Sequence, residues 1–151
     1  MREFLFRAKR NDNGEWVYWN FFGELCRESG KRTRLAVQKG ATISYYDYIH
    51  QIVTLIDKNT ICQFTGLFDK NGQKIWENDI CQYVEADECG MKIEPFIIRY
   101  GRYAEMFKIN IGFFIEWIKT SYYRCDLGFW IENRNIDVIG NVFDNAELLE
   151  E

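Results

Sequence analysis

The sequence predicts a mainly β protein, and three observations support this prediction. Short segments rich in aromatic and β-branched residues recur along the chain. Turn sequences containing Gly, Asn or Asp separate them. The 151 residues, 47% hydrophobic and 17% aromatic, can bury a sizeable core. Short strands at regular spacing with turn signals between them are typical of an all-β barrel or roll.

The strongest turn in the chain is Asp69-Lys70-Asn71-Gly72. Asp69 can accept hydrogen bonds from the backbone that follows it, and Asn-Gly tolerates positive φ. Residues 64–68 and 73–84 flank this turn and are aromatic or β-branched. We therefore expect a β-hairpin here.

A second hairpin is predicted at the start of the chain, where residues 4–9 alternate, 11–14 form a turn and 15–22 are strongly aromatic. Exposed Trp16 and Trp19 could stack nucleic-acid bases. Alternatively, cross-strand aromatic pairs simply build the core. We favour the core, because no basic motif interleaves with these rings in the sequence.

Residues 27–40 hold most of the local positive charge. This predicts a basic loop that contacts nucleic acid or the acidic face of a protein. Alternatively, the segment is a solvated loop without a binding role. The basic residues are Arg27, Lys31, Arg32, Arg34 and Lys39. Residues 23–40 would form a long connection for a compact domain. We favour the solvated loop.

Residues 42–53 are ambiguous. Tyr45, Tyr48 and Ile49 recur at helical spacing and Ser44 could cap a helix, whereas the residue types prefer strands. We expect a short helix in preference to a strand. His50 is the sole histidine, and no nucleophile or orienting partner accompanies it in the sequence, so we interpret it as structural or as a surface residue.

Further strands are expected in the second half of the chain, with Gly112 as a bulge and a final helical turn at 146–150 capped by Asn145. The predicted strands comprise residues 77–84, 96–100, 107–118, 126–133 and 136–141.

The side-chain chemistry argues against a catalytic or metal site. Five cysteines at wide spacing, without a Cys-x-x-Cys pair and with one histidine, predict neither a disulfide framework nor a zinc site. Glu77 and Asp79 would share a strand face, but we expect Asp79 to bond backbone amides at a corner instead of forming a carboxylate pair. We expect no catalytic residues, no metal and no cofactor.

Charge and hydropathy indicate a cytoplasmic protein. The net charge is −4, and phosphate-binding proteins usually carry excess Lys and Arg. No apolar run reaches the roughly 18–20 residues of a membrane span. The start of the chain lacks the layout of a signal peptide, because Arg7 and Lys9 interrupt its apolar stretch.

The segment around the central turn resembles the signature of the YopX family, found mostly in bacteriophages and prophages. The tail at 136–149 resembles the family's ending. Asn78 stands where the family usually has Gly, and Ala146 where it usually has Pro. Asn is the residue best able to replace a Gly of positive φ, so the backbone can be unchanged. The residues that carry the resemblance are Thr65, Gly66, Asp69, Asn71, Gly72, Ile75, Trp76, Glu77, Asp79, Gly140 and Asn141.

The resemblance implies an SH3-like small barrel at residues 56–151, preceded by an N-terminal β-hairpin or α+β appendage at residues 1–55. It implies no activity. We therefore expect a non-enzymatic interaction module that engages a host or phage protein, or a second copy of itself, in the bacterial cytoplasm. A nucleic-acid-binding accessory protein using residues 27–39 is the alternative, and an enzyme is the least favoured class.

Overall fold

A computed structural model describes residues 4–20, 34–39, 41–47, 50–83, 95–105, 107–118, 124–133 and 135–150. The chain divides into two compact units, Met1–Phe64 and Thr65–Glu151. The division falls inside one strand, Cys62–Phe68. The predicted mainly β class is confirmed.

The first unit consists of short antiparallel strands. They are β1 (Phe6–Lys9), β2 (Trp16–Trp19), β3 (Arg34–Lys39), β4 (Thr42–Asp47), β5 (Ile52–Leu55) and the start of β6 (Cys62–Phe68). Strand β1 pairs with β2 and with the first residues of β6, which confirms the predicted N-terminal hairpin. Strands β3, β4 and β5 form a second sheet in that order. A 3₁₀ helix, Lys58–Thr60, precedes β6.

The core of the first unit centres on Trp19, which is fully buried. Its ring stacks on Phe6 at a centroid distance of 6.0 Å and meets Tyr45 at 6.3 Å. Other members of this core are Ala8, Ala36, Ile43 and Ile56.

Two predictions for the first unit are wrong. The short helix expected within 42–53 is strand β4, because Ile43, Tyr45 and Asp47 alternate inward with period two. Pairing with β3 and β5 overrides the helical spacing. The part of the predicted basic loop at 34–39 is strand β3, and it buries Ala36 in the core.

The second unit begins with the rest of β6. It continues through β7 (Lys74–Trp76), β8 (Asp79–Tyr83), β9 (Phe96–Glu105), β10 (Lys108–Trp117), β11 (Arg124–Asp126), helix α1 (Leu127–Asn133), β12 (Ile136–Asn141) and a 3₁₀ helix, Ala146–Leu149. Strand β7 lies beside β6, which confirms the hairpin around the central turn. Five strands form one antiparallel sheet in the order β11-β10-β9-β8-β12. In the described part of the chain, no sheet closes into a barrel.

The core of the second unit is almost entirely aliphatic, with one aromatic ring and one thiol. Each of its buried members is at most 2% exposed. They are Ile75, Cys81, Phe96, Ile98, Ile115, Leu127 and Ile136. Five of the seven lie on strands of the five-stranded sheet, so this sheet supplies most of the unit's core.

Three further predictions for the second unit need correction. Residues 127–133 form helix α1, because Asp126 Oδ1 accepts the backbone N–H of Phe129 at 2.9 Å and so caps a helix start. Gly112 lies directly opposite Gly101 without a bulge, and the register shift occurs between Val138 and Gly140 instead. Asn145 precedes the final 3₁₀ turn but makes no side-chain cap bond.

No helix in the portion of the chain that the structure describes has the length and hydropathy needed to cross a membrane.

We predict an alkaline loss of stability that depends on Tyr103. Its hydroxyl donates to Asp126 Oδ2 at 3.2 Å, and burial, reinforced by the Asp126 charge, raises its pKa to about 12. An unfolded chain releases this proton near pH 10. The contribution of Tyr103 is therefore complete below about pH 10 and declines as the pH rises from 10 to 12.

Urea unfolding of the wild type and Tyr103→Phe at several pH values from 8 to 11 measures this effect. The phenylalanine variant should lose less stability above pH 10 than the wild type. Tyr100→Phe, at a tyrosine that is 52% exposed, is the matched control and should follow the wild type. Equal slopes for the wild type and Tyr103→Phe would contradict the assignment.

Candidate functional site

The Asp69 carboxylate organises the central turn. Asp69 is 7% exposed, and its Oδ1 accepts the backbone N–H groups of Asn71 at 2.8 Å and Gln73 at 2.9 Å. Its Oδ2 accepts the N–H of Val138 at 3.2 Å. The predicted backbone bonding of Asp69 is thus confirmed, and both of its oxygens have a structural use.

Two more hydrogen bonds attach this turn to strand β12. The backbone N–H of Lys70 donates to the Ile136 carbonyl at 2.9 Å. The Asn71 side-chain amide donates to Asp137 Oδ1 at 3.1 Å. Gly72 has φ +78°, the positive value expected of the Asn-Gly sequence. The turn residues of the signature therefore hold together segments that are more than 60 residues apart in sequence.

The corner between β7 and β8 uses the next part of the signature. Asp79 is 2% exposed and accepts the backbone N–H of Trp76 at 2.8 Å, as predicted. Asn78 has φ +67°, so it takes the left-handed conformation expected at a position where the family usually has Gly. Its backbone donates to the Ile98 carbonyl and accepts from Val142, and its side chain accepts from Arg99. This geometry is that of a structural corner.

The signature residues near the chain end form a second hydrogen-bonded turn. Asn141 Oδ1 accepts the backbone N–H groups of Phe143 and Asp144, both at 3.0 Å. Asn145 Oδ1 reaches back to the N–H of Asn141 at 3.1 Å. Gly140 lies so close to Asn145 that a Cβ at position 140 would overlap the Asn145 side-chain amide. A side chain at position 140 can therefore be accommodated only if the Asn145 side chain moves.

An open pocket of about 110 Å³ lies beside the central turn. Its lining residues are Phe68, Asp69, Lys70, Ile131, Asn135 and Ile136. Typical small-molecule sites have volumes of roughly 300–1,000 Å³, so this pocket is smaller than a typical metabolite site.

The aromatic residues proposed to bind nucleic acid differ in their surroundings. Trp19 is fully buried, so its ring offers no surface to a base. Trp16 is half-buried and faces two cations, with Arg7 Cζ 4.3 Å and Lys9 Nζ 5.2 Å from its ring centroid. These cations come from the neighbouring strand β1, where Lys9 lies opposite Trp16. The interleaving of basic and aromatic residues is visible only once the hairpin register is known.

The proposed basic residues lie partly outside the described part of the chain. Residues 27, 31 and 32 are outside it. Arg34 and Lys39 mark the two ends of strand β3. A binding role for the five residues therefore stays a prediction.

His50 and Asp47 form a local pair at the end of strand β4. His50 Nδ1 lies 2.9 Å from Asp47 Oδ2, and the His50 backbone N–H donates to Asp47 Oδ1 at 3.2 Å. Asp47 is buried, whereas the His50 side chain is 59% exposed. The two hydrogen bonds to one carboxylate hold His50 beside the end of strand β4.

Metal-ligating and nucleophilic groups do not converge in the described residues. No group of three or more His, Cys, Asp or Glu side chains there could hold a metal ion. Cys62 and Cys81 are buried free thiols. Burial, reinforced by Asp79, raises the pKa of the Cys81 thiol well above its usual range, which disfavours the reactive thiolate.

A hairpin arm is the most exposed apolar feature of the second unit. The arm comprises residues 99–113, the part of the β9–β10 hairpin beyond the pairings of these strands with β8 and β11. Tyr100, Ile109 and Ile111 are 52%, 64% and 72% exposed, and Phe107 at the turn is fully exposed. Tyr100 also packs against Phe113 at a centroid distance of 5.0 Å.

One side of this arm carries its exposed apolar side chains. Residues directly opposite each other share a face, so Tyr100–Phe113, Arg102–Ile111 and Ala104–Ile109 lie on one side. We call this side, together with Phe107, the apolar arm face. The other side carries Lys108, Asn110 and Glu105, and also Tyr103, which is buried. Sequence reasoning missed this face, although the alternation of Ile109, Ile111 and Phe113 is its signal.

We predict that Asp69→Asn destabilises the second unit by about 1–3 kcal/mol, because an amide N–H₂ would oppose one of the backbone N–H donors. Chemical denaturation followed by tryptophan fluorescence measures the change. Asp137→Asn is the matched control, because this half-buried side chain can still accept the Asn71 amide through its oxygen. Equal losses in the two variants would refute the special role of Asp69.

We predict that Gly140→Ala destabilises by about 1–3 kcal/mol through overpacking against Asn145. A double-mutant cycle with Asn145→Ala tests the cause. Removing the Asn145 side chain relieves the clash. The double variant should therefore lose less unfolding free energy than the sum of the losses in the two single variants. Strict additivity would show that the Gly140–Asn145 approach is not the source.

Comparisons with known proteins agree with this architecture. A family model described as YopX protein matches residues 5–150. The crystal structure of protein EF1440 from Enterococcus faecalis is similar, with 25% identity, a TM-score of 0.50, and coverage of 97% of this chain and 98% of that one. No curated protein sequence matches. Because the family model spans nearly the whole chain, this protein belongs to the YopX family.

Proposed function

We propose that this chain is a non-enzymatic protein-interaction module of a phage or prophage, and that the apolar arm face is its contact surface. The observation that carries the proposal is the exposure of Tyr100, Ile109 and Ile111 on one side of the hairpin arm, with Phe107 exposed at its turn. Contiguous exposed apolar side chains of this kind mark interaction sites.

Burial of this face would contribute favourably to the free energy of a specific contact. Full burial of a large apolar side chain contributes about 1.5–3 kcal/mol. Burial of two isoleucines and two aromatic residues therefore contributes several kcal/mol of favourable binding free energy. The free-energy costs of ordering the side chains and of losing translational and rotational freedom oppose this contribution. Micromolar affinity is a reasonable expectation for such a surface.

The polar groups of the signature support a non-enzymatic role. Asp69, Asp79 and Asn141 bond backbone amides and hold turns. A catalytic carboxylate would instead face a cleft with room for a substrate. The pocket next to Asp69 has about 110 Å³, which is small for that purpose.

We also propose that the second unit is a variant of the SH3-like barrel. Its support is strand order: β8 to β11 form a meander, the last strand β12 returns beside the first, and a short helix precedes it. SH3-like barrels serve many unrelated binding functions, so this relationship alone names no partner.

Nucleic-acid binding by the first unit is the alternative. Its support is the pair of cations over Trp16 together with the basic residues of 27–39. It predicts affinity that falls steeply with salt and is lost on charge reversal at Arg32 and Arg34.

Affinity capture from a bacterial lysate, with and without nuclease, tests the proposal. The decisive variant is Ile109→Ser/Ile111→Ser on the arm. The matched control is Val53→Ser/Leu55→Ser, which removes two exposed apolar side chains from strand β5, where they are 64% and 48% exposed. Thermal unfolding of each variant checks that it is folded.

We expect one identified protein to be captured by the wild type and the β5 control in the presence of nuclease. The arm variant should bind it about 10- to 100-fold more weakly, because two isoleucine contacts are lost. Equal capture by the arm variant would overturn the role of the arm. Capture that nuclease abolishes would favour the nucleic-acid alternative.

A further inference from the structure

We propose that the apolar arm face is covered by a second copy of this chain, packed face to face about a two-fold axis. This inference rests on the proposed function, because it names the partner of the same surface. It makes the interaction module a self-associating one.

The apolar arm face continues the side of the hairpin that faces the core. At the base, Ile98 and Ile115 lie opposite each other and are fully buried. Further out on the same side come Tyr100 opposite Phe113, Arg102 opposite Ile111, and Ala104 opposite Ile109. The inward alternation therefore extends beyond the unit's own core. Sheet faces of this kind are covered by another sheet face at a distance of about 10 Å.

The arrangement of side chains along the face suits contact with itself. Phe107 lies at the tip, Ile109 and Ile111 in the middle, and Phe113 with Tyr100 at the base. A two-fold axis level with residue 110 would place Ile109 of one copy on Ile111 of the other. The same axis would place Phe107 at the tip of one copy near Phe113 at the base of the other, about 10 Å from the axis at roughly 3.4 Å per residue.

The charge on this face fits an isologous contact. Arg102 is the one charged residue among its described members, and it lies opposite Ile111. A long arginine stem can cover apolar surface while its guanidinium remains in water. A basic or acidic partner would need a face with several complementary charges, whereas apolar side chains match a second copy of the same strip.

The available area indicates a reversible dimer. Weighted by exposure, the two aromatic residues and two isoleucines offer on the order of 500 Å² per copy. Two copies then bury roughly 1,000 Å², the lower limit for a specific interface and well below the roughly 2,000 Å² or more of obligate dimers. We therefore expect dimerisation in the micromolar range.

Sedimentation velocity between about 1 and 300 µM tests the dimer with single charged variants. Ile109→Asp and Ile111→Lys should each be monomeric over this range, because each homodimer would bury unpaired charges. We expect the dimer dissociation constant of each variant to rise by roughly 100-fold or more. In the proposed register, the carboxylate introduced in one variant would face the ammonium group introduced in the other. An equimolar mixture should therefore restore the dimer, while Val53→Ser/Leu55→Ser should dimerise like the wild type.

Several outcomes would overturn the inference. A wild type that stays monomeric at the highest concentration removes the second copy as occupant, and loss of the dimer only in the β5 control moves the interface elsewhere. If each charged variant is monomeric and their equimolar mixture is also monomeric, the proposed register is wrong. The proposed function fails separately: a monomeric wild type that still captures a lysate protein through the arm would remove the dimer and leave the proposed function standing.

Discussion

The second unit depends on one buried carboxylate that accepts three backbone amides. Asp69 closes its own turn through the N–H groups of Asn71 and Gln73, and it fixes strand β12 through Val138. A charged acceptor forms hydrogen bonds roughly twice as strong as a neutral one. The position of β12 then determines where Ile136 enters the core and where the hydrogen-bonded turn that begins at Asn141 lies.

Much of this arrangement can be predicted from local sequence. The Asp-Lys-Asn-Gly turn, the positive φ of Asn78 and the backbone bond of Asp79 follow from the conformational preferences of those residue types. The β class follows from aromatic and β-branched content. These features depend on residues within a few positions of one another.

Other features depend on contacts that a local pattern does not contain. Strand β4 has helical spacing of apolar residues, and only its pairing with β3 and β5 decides between the two interpretations. Helix α1 has strand-like residues, and the Asp126 cap together with burial of Leu127 decides its state. The apolar arm face was not predicted, because the exposure of its apolar side chains depends on where the core of the folded unit ends.

The long sequence separation of the Asp69 contacts has a consequence for folding. The core of the first unit uses residues up to 61, so this core can form early in synthesis. In the second unit, the central turn and β8 wait for β12, which follows more than 50 residues later. Pairings of such high contact order form slowly. During that interval the edge of β8 and the core face of the hairpin are open, so we expect the second unit to be more accessible to chaperones and proteases than the first.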